Sequence, residues 1–370
     1  MDEILKALAA ALHGEGPAVE ISVDGNGTAT AVPVETPFED AAVVVRTSGS
    51  TGTPKATVLT VDALAASSMA TAIALRGEGQ WLLALPLQYV AGVQVLVRSL
   101  FAGTRPWAMD FSGGFTPEAF TAAAGELTDK VRFTSLVPTQ LQRLLDAPSP
   151  ETLAALCRFN AILLGGAPAP AGLLDAAREA GLRVVTTYGS AETCGGCVYD
   201  GEPLDGVEVR IDGDGRVLLG GATIAAGYLD APDAEDFFEE DSVRWYRTGD
   251  LGELSPDGRL TVLGRADDVI ITGGVKVSAA HVQAELEKLD GVAAAFVTGV
   301  PSAEWGQAVA AYVAGPAPQD PDRILNAARA VLGPLAPKTV LAASELIMLP
   351  NGKPDRVAMA GLLGERHQAE

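Results

Sequence analysis

The feature that most constrains the fold is a recurrence. Short apolar runs each end in a loop bearing glycine, hydroxyl or aromatic residues, and helical stretches follow them. The runs are Ala41–Val45, WLLALPL (Trp81–Leu87), VRFTSLVP (Val131–Pro138), AILLGGAP (Ala161–Pro168) and RVVTTYGSAET (Arg183–Thr193). Between them the Ala-rich segment Val61–Leu75, the apolar segment Gly92–Phe101, TQLQRLLDAP and a stretch ending near Ala180 read as helices. Near-continuous apolar strands alternating with helices imply parallel sheets covered on both faces, so the expected class is α/β. Ligands of such sheets bind where strands end, which singles out the loops at Thr47, Gln88, Gly165 and Tyr188.

The first of these loops, TSGSTGTPK (Thr47–Lys55), is a poor helix and a poor strand but a good anion grip. Gly49 and Gly52 let the backbone present N–H groups, Thr47, Ser48, Ser50, Thr51 and Thr53 add hydroxyl donors, and Lys55 adds a point charge. It is not a Walker A loop, because only Ser50 and Thr51 separate Gly49 from Gly52, and Pro54 precedes Lys55. A polyphosphate site of another design is implied, although the same composition also suits a plain surface loop.

Around this centre the chain reads as follows. Asp2–Leu12 is an amphipathic helix, and ISVDGNGTATAV (Ile21–Val32) is a hairpin turning at Asn26 and Gly27. From Leu204 the pattern changes to short β segments with glycine turns, VEVRIDGDGRVLLGG and GELSPDGRLTVLGR, as in a small antiparallel or barrel-like subdomain. Beyond Arg265, helices at Ala279–Leu289 and Pro321–Leu332 alternate with strands at Ala293–Val300, Ala308–Val313 and Leu341–Met348, a compact α+β unit. With 370 residues there is room for two domains, and the boundary is placed at Asp267, giving domains 1–266 and 267–370.

The formal charge of −21 argues against nucleic acid or an anionic membrane as partner, so an anionic ligand must be met by local donors. The N-terminal MDEILKALAA lacks the basic segment and apolar core of a signal peptide, and no uncharged apolar run reaches membrane-spanning length; a cytosolic location is expected. Cys157, Cys194 and Cys197 do not make a disulfide framework, and the CGGC pair lacks the further Cys or His partners of a zinc site. With only three histidines, chemistry resting on a His general base has few places to occur.

Five segments then occur in order: TSGSTGTPK, YGSAET (Tyr188–Thr193), YRTGDLG (Tyr246–Gly252), GRADDVIITGGVKVS (Gly264–Ser278) and LPNGKPDR (Leu349–Arg356). Together they resemble the adenylate-forming superfamily of acyl-CoA synthetases, adenylation domains and luciferases. PLQYVAGVQVLVRSL (Pro86–Leu100), SLVPTQLQRLL (Ser135–Leu145) and LLGGAPAP (Leu163–Pro170) resemble, more narrowly, the 2-succinylbenzoate:CoA ligases of menaquinone synthesis. The phosphate loop lies nearer the start than is usual in the superfamily.

The resemblance implies a large N-terminal domain of helix-covered sheets with a small β-barrel-like subdomain, and a small mobile α+β C-terminal lid. It implies ATP, Mg²⁺ and CoA as cofactor and cosubstrates, an aromatic dicarboxylate as acid, and a possible homodimer. By resemblance the loop residues Thr47, Ser48, Gly49, Ser50, Thr51, Gly52 and Lys55 hold the β- and γ-phosphates, and Lys353 bridges the acyl carboxylate and the α-phosphate. Glu192 binds Mg²⁺; Tyr188 stacks on adenine beside Gly189; Gly165, Gly166 and Ala167 face the base edge; Asp250 and Arg265 meet the ribose. Asp267 is the hinge, and Gly273 and Gly274 open the segment nearest CoA.

Ala191 stands where many relatives carry a hydroxyl, for which Thr193 or Ser190 compensates, and Gln88 replaces an expected histidine. For the second carboxylate the candidate is Arg98, with Gln94, Ser135 and Thr139 as neighbours; an arginine reaching to the surface is the alternative. Another aryl- or acyl-CoA synthetase, a free-standing adenylation domain or a non-catalytic nucleotide-binding protein are the rival readings. Within the resemblance, a carboxylate nucleophile needs no general base, in keeping with the scarcity of histidine.

Overall fold

The computed structural model describes residues 1–24, 27–47, 55–169, 171–315, 320–349 and 354–369. Ser48, Gly49, Ser50, Thr51, Gly52 and Lys353 therefore lie outside the described residues. Two compact units emerge: Met1–Arg210, Leu218–Thr248 and Leu254–Leu260 form one, and Ile211–Val217, Gly249–Glu253 and Thr261–Glu370 the other.

In the first unit, α1 (Asp2–Leu12) buries Ile4, Leu8, Ala11 and Leu12. Strands β1 (Ala18–Val23) and β2 (Ala29–Val34) form the expected hairpin. Strand β3 (Ala41–Thr47) runs antiparallel to β4 (Lys55–Thr60), with Thr47 paired to Lys55. The sheet order is Gly227–Tyr228, β4, β3, β1, β2, and only β1 against β3 is parallel. This corrects the expectation that Ala41–Val45 joins a parallel sheet. The connection 48–54 is too short for a parallel crossover, which takes a dozen or more residues, so the chain must return antiparallel.

Helix α2 (Val61–Leu75) starts at Thr60, whose hydroxyl accepts from the Ala63 N–H, and stops where Arg76 turns left-handed. A second sheet then builds up through β5 (Gln80–Leu83), α3 (Val90–Phe101), β6 (Trp107–Ala108), α4 (Pro117–Gly125), β7 (Arg132–Leu136), α5 (Pro138–Leu145), β8 (Ala161–Leu164), β9 (Val184–Ser190), β10 (Gly195–Tyr199) and β11 (Glu202–Pro203). Its order is β11-β10-β9-β8-β7-β5-β6. The strands from β9 to β6 are parallel, and β10 and β11 add an antiparallel edge.

Strands β5, β7 and β8 are buried at every position, as a sheet covered on both faces requires. On one face Leu82, Leu136 and Leu164 meet Phe120, Leu141 and Leu173 in one hydrophobic cluster of this unit. Tyr188, expected in a loop, lies inside β9, because β10 folds back on it and pairs Tyr199 with Thr187 through Gly195 with Ser190. The short segments after Leu204 form a third sheet, in the order Val207–Ile211, Arg216–Gly221, Val243–Leu254, Phe237–Glu240, with Leu260–Arg265 beside Val243–Leu254.

In the second unit the hairpin Val269–Thr272/Val275–Ser278 and strands Gly306–Ala314, Ala294–Ser302 and Thr339–Ala343 make one sheet. Helices Ala279–Leu286 and Pro321–Leu332 bury Val282, Leu286, Ile324 and Leu332 against one face. Helix Arg356–Ala369 covers the other face with Met359 and Leu363. The first helix stops at Leu286, three residues short of the expected Leu289.

Candidate active site

The described ends of the 47–55 segment sit side by side in the β3–β4 register, so the loop leaves and re-enters one end of the first sheet. At that end the Lys55 Nζ donates to the Tyr228 hydroxyl at 3.3 Å and pairs with Asp236 Oδ2 at 3.1 Å. It also lies 4.3 Å from the centre of the Tyr228 ring. The Tyr228 hydroxyl in turn donates to Glu192 Oε1 at 2.9 Å. A continuous chain, Lys55 to Tyr228 to Glu192, thus joins a cation and a carboxylate from distant parts of the sequence.

The backbone explains the meeting. Tyr228 pairs with Thr57, two residues along β4 from Lys55. Glu192 sits in a single 3₁₀ turn, Ala191–Thr193, between β9 and β10, and its carbonyl accepts from the Ala225 N–H at 2.9 Å. Glu192 is 7 % exposed and Tyr228 is buried, so the hydroxyl meets a carboxylate largely withdrawn from water. Burial, followed by the charge of Glu192, pushes the Tyr228 phenol far above its ordinary range, which keeps it a donor. Glu192 is a hard oxygen donor with no cationic partner among the described residues, and this fits a Mg²⁺ ligand.

Thr193 and Ser190, the alternatives for the hydroxyl absent at Ala191, differ in their hydrogen bonding. The Thr193 Oγ1 accepts from the Ser190 N–H at 2.9 Å and donates to the Gly195 carbonyl at 2.7 Å, so it fixes the bend. The Ser190 Oγ is buried without a hydrogen-bond partner among the described residues. Gly189 has φ +156, and a Cβ there would collide with the Gly195 carbonyl of the returning strand. At Gly165, just past β8, a Cβ would meet the Thr187 hydroxyl. Gly166 and Ala167 are exposed next to it, and Tyr188 is half-buried on β9.

The acyl-pocket candidates do not converge on one point. Gln94 on α3 is buried, and its Nε2 donates to the Ser67 Oγ at 3.1 Å and to the Cys194 carbonyl, which pins it in place. Arg98, one turn on, is 7 % exposed; its guanidinium stands 5.1 Å from the Trp81 ring, and its Nε has no hydrogen-bond partner among the described residues. It lines a cavity of about 540 Å³ between α2 and α3 together with Ser68, whose buried hydroxyl is also without a partner among the described residues. Ser135 is buried on β7, Thr139 is exposed on α5, and neither lines that cavity. Gln88 lies between β5 and α3, half-buried, with its Oε1 unpartnered among the described residues.

In the second unit Arg265 holds Asp267 at 2.8 and 3.2 Å through Nε and Nη2, and stands 3.6 Å from Asp250. The hydrogen bond from Arg265 sets against burial and keeps the Asp267 carboxyl below its usual range. Gly273 and Gly274, at φ +55 and +81, form the turn of the Val269–Ser278 hairpin. Sequence reasoning missed Tyr228, Asp236 and Ser68. The two thiols of CGGC are buried, and burial raises both, that of Cys197 to about 12.

Comparison with known proteins agrees with this architecture. Residues 4–229 match the family model "AMP-binding enzyme" and residues 281–353 match "AMP-binding enzyme C-terminal domain". The chain is 43% identical over 364 residues to a probable 2-succinylbenzoate–CoA ligase of Mycobacterium tuberculosis, covering 96% of this chain and 94% of the relative. A 2-succinylbenzoate–CoA ligase of a Geobacillus species is 33% identical over 308 residues, 75% of this chain and 59% of that protein. Among solved structures, the o-succinylbenzoate CoA synthetase of Bacillus subtilis, in complex with the acyl-adenylate intermediate OSB-AMP, superimposes with TM-score 0.75 at 28% identity, over 90% of this chain and 72% of that one. The ATP-bound MatB of Rhodopseudomonas palustris gives TM-score 0.77 at 25% identity, over 93% and 75%.

Proposed function

Because this chain belongs to the AMP-binding enzyme family, we propose that it is an ATP-dependent acid:CoA ligase, acting on 2-succinylbenzoate in menaquinone biosynthesis. One carboxylate oxygen of the acid attacks the α-phosphorus of ATP, the bond to the β-phosphate oxygen breaks, and pyrophosphate leaves. The CoA sulfur then attacks the acyl carbon of the adenylate, and AMP leaves. Both partners of the first step are anions, so the protein's work is to offset repulsion and hold an in-line approach.

The observation that carries this reading is the Lys55–Tyr228–Glu192 chain at the mouth of the 47–55 loop. Lys55 offers positive charge to the phosphates, and Glu192 would hold Mg²⁺. When bound there, magnesium supplies positive charge that screens the polyphosphate. Ser190 offers its hydroxyl near the α-phosphate in place of Ala191. Tyr188 and the Gly165–Ala167 backbone frame the base, Asp250 and Arg265 meet the ribose, and Asp267 serves as hinge. Gly273 and Gly274 face CoA, and Lys353 is the second cation.

Arg98 is assigned to the second carboxylate of the substrate. Arg98 has no carboxylate partner among the described residues, and a buried guanidinium in that state is costly unless a ligand supplies the anion; the Ser68 hydroxyl, which lines the same cavity, adds a donor. ATP–pyrophosphate exchange across a panel of aromatic mono- and dicarboxylates, with and without CoA, tests the reading. Exchange that requires 2-succinylbenzoate, and thioester only when CoA is present, is the expected result. A Lys353→Ala chain that keeps full adenylation would overturn the mechanism.

A further inference from the structure

The 3₁₀ turn Ala191–Thr193 that carries Glu192 closes on Cys194 at φ +53, a left-handed conformation that a residue other than glycine adopts only where its surroundings enforce it. The Cys194 N–H donates to the Ala191 carbonyl at 3.1 Å. Its own carbonyl is buried with the rest of the residue and accepts from two side chains of the neighbouring helices. The Ser67 Oγ of α2 donates to it at 3.2 Å, and so does the Gln94 Nε2 of α3. Gln94 Nε2 also donates to the Ser67 Oγ at 3.1 Å, which closes a ring of three hydrogen bonds. Both side chains are 1 % exposed.

We propose that, with Glu192 as the Mg²⁺ ligand assigned above, Gln94 and Ser67 are its positioning residues, and that Gln94 takes no part in holding the acid. Donor counting decides the role of Gln94. A primary amide has two N–H donors, and Ser67 and Cys194 take both. Turning the amide over would set its oxygen against the Cys194 carbonyl oxygen, acceptor against acceptor, so its orientation is fixed. What remains is Oε1, an acceptor with no partner among the described residues. The two carboxylates and the ketone of 2-succinylbenzoate are acceptors as well, so Gln94 has no donor to offer them. Arg98, one turn further along α3, keeps that task.

The ring ties the turn to two packed helices. Gly195, next in the chain at φ +90, lies so close that a Cβ there would stand 3.5 Å from Gln94 Cγ. One turn along α2 from Ser67, the Thr71 Oγ1 shares a hydrogen bond with the Tyr199 hydroxyl at 3.0 Å, so the same helix holds β10 just before its start and at its end. From the other side Tyr228 grips the Glu192 carboxylate at 2.9 Å. Tyr228 thus orients the oxygen, and the ring fixes the backbone that carries it. Both are needed, because a ligand turn that populates other arrangements binds only in proportion to the fraction correctly arranged.

The test titrates ATP calorimetrically into the full chain, once with Mg²⁺ and once with EDTA, so that no turnover is needed. The ratio of the two affinities reads what Mg²⁺ adds. Gln94→Met, which keeps the length of the side chain, and Ser67→Ala each leave the Cys194 carbonyl one donor and lower the ratio about threefold. The chain carrying both leaves that buried carbonyl with neither donor and loses at least about thirtyfold, more than the two single effects multiplied. Affinity in EDTA and the KM for the acid stay at the wild-type value, and amide exchange at Cys194–Cys197 speeds up while that of β8 does not. Thermal melting checks folding, and the single variants still read the ratio if the double one melts. Variants that keep the wild-type ratio while Glu192→Gln loses it would overturn the proposal and leave the Mg²⁺ assignment standing. A Glu192→Gln chain with the wild-type ratio would overturn both, and a Gln94→Met chain that changes only the KM for the acid would return Gln94 to the acyl pocket.

Discussion

Replacing Tyr228 by Phe removes one oxygen from the site and little else. The ring stays in its edge contact with Phe237, whose centre is 5.1 Å away, and Lys55 keeps Asp236 at 3.1 Å. What is lost is the acceptor for Lys55 Nζ at 3.3 Å and, of more weight, the donor to Glu192 Oε1, a carboxylate with 7 % exposure that water does not readily resolvate. A hydrogen bond to a charged group is worth about 1.5–3 kcal/mol, and leaving the buried oxygen unsatisfied costs a similar amount. At about 1.4 kcal/mol per factor of ten, this converts to roughly a 10- to 100-fold loss in any equilibrium that uses the oriented carboxylate.

The assay is pyrophosphate exchange at fixed ATP and acid with Mg²⁺ varied, alongside thermal melting. The expected outcome is a half-saturating Mg²⁺ concentration raised roughly 10- to 100-fold, with an unchanged KM for the acid. A Tyr228→Phe chain that matches the wild type in both melting and Mg²⁺ dependence would show that the hydroxyl does not hold Glu192. A lower melting temperature with unchanged Mg²⁺ dependence would reduce Tyr228 to a packing residue.

Arg98→Ala should raise KM for the dicarboxylate at least about tenfold while leaving KM for ATP and turnover of a monocarboxylate analogue near wild type, because only the second anion loses its partner. Ser190→Ala should leave the melting temperature unchanged, since its hydroxyl makes no hydrogen bond among the described residues, while raising KM for ATP; steady-state kinetics and calorimetry decide this. In the native chain at pH 8 a thiol reagent should titrate Cys157 quickly and Cys194 and Cys197 only after unfolding. The buried thiols keep protons that an unfolded chain releases above about pH 8.5, so their contribution to stability is whole below that pH. As pH climbs toward about 12, the folded value of Cys197, that contribution falls by up to about 1.4 kcal/mol per pH unit for that thiol; denaturant melts at pH 8 and 10 measure it.

The elements whose apolar runs were long enough to fix both type and extent were legible in the sequence. Helix α2 occupies Val61–Leu75 and the helix Pro321–Leu332 occupies the stretch its pattern marks out, since a hydroxyl or acidic cap stands before each. Strand β8 was legible because burial on both faces leaves no polar interruption, and β5 and β7 were legible from their Trp81, Leu82, Leu83, Phe133 and Leu136, although Gln80, Arg132, Thr134 and Ser135 are buried beside them. Sheet membership was not legible. Ala41–Val45 carries the same apolar signature as β8, and only the shortness of the 48–54 connection, read together with the strand Lys55–Thr60 that follows, reveals an antiparallel partner. Tyr188 was assigned to a loop because the returning strand β10 is rich in glycine and cysteine and has little strand signature of its own.

The site was legible in its charged members and not in the residue that joins them. Lys55 and Glu192 stand in recognisable segments, but Tyr228 reaches Lys55 across 173 positions and Glu192 across 36, from a strand of two residues with no periodicity to announce it. Physical chemistry still restricts what that residue can be. A carboxylate with 7 % exposure needs a donor, and a lysine or arginine would supply one while cancelling the charge that a divalent cation requires. A phenol supplies the hydrogen bond and leaves the negative charge in place. It does so at every working pH, because burial and the neighbouring carboxylate hold the Tyr228 proton on its oxygen. The same hydroxyl accepts from Lys55, so one neutral group keeps a cation and an anion from distant parts of the sequence within reach of a shared ligand without letting them neutralise each other in a direct ion pair.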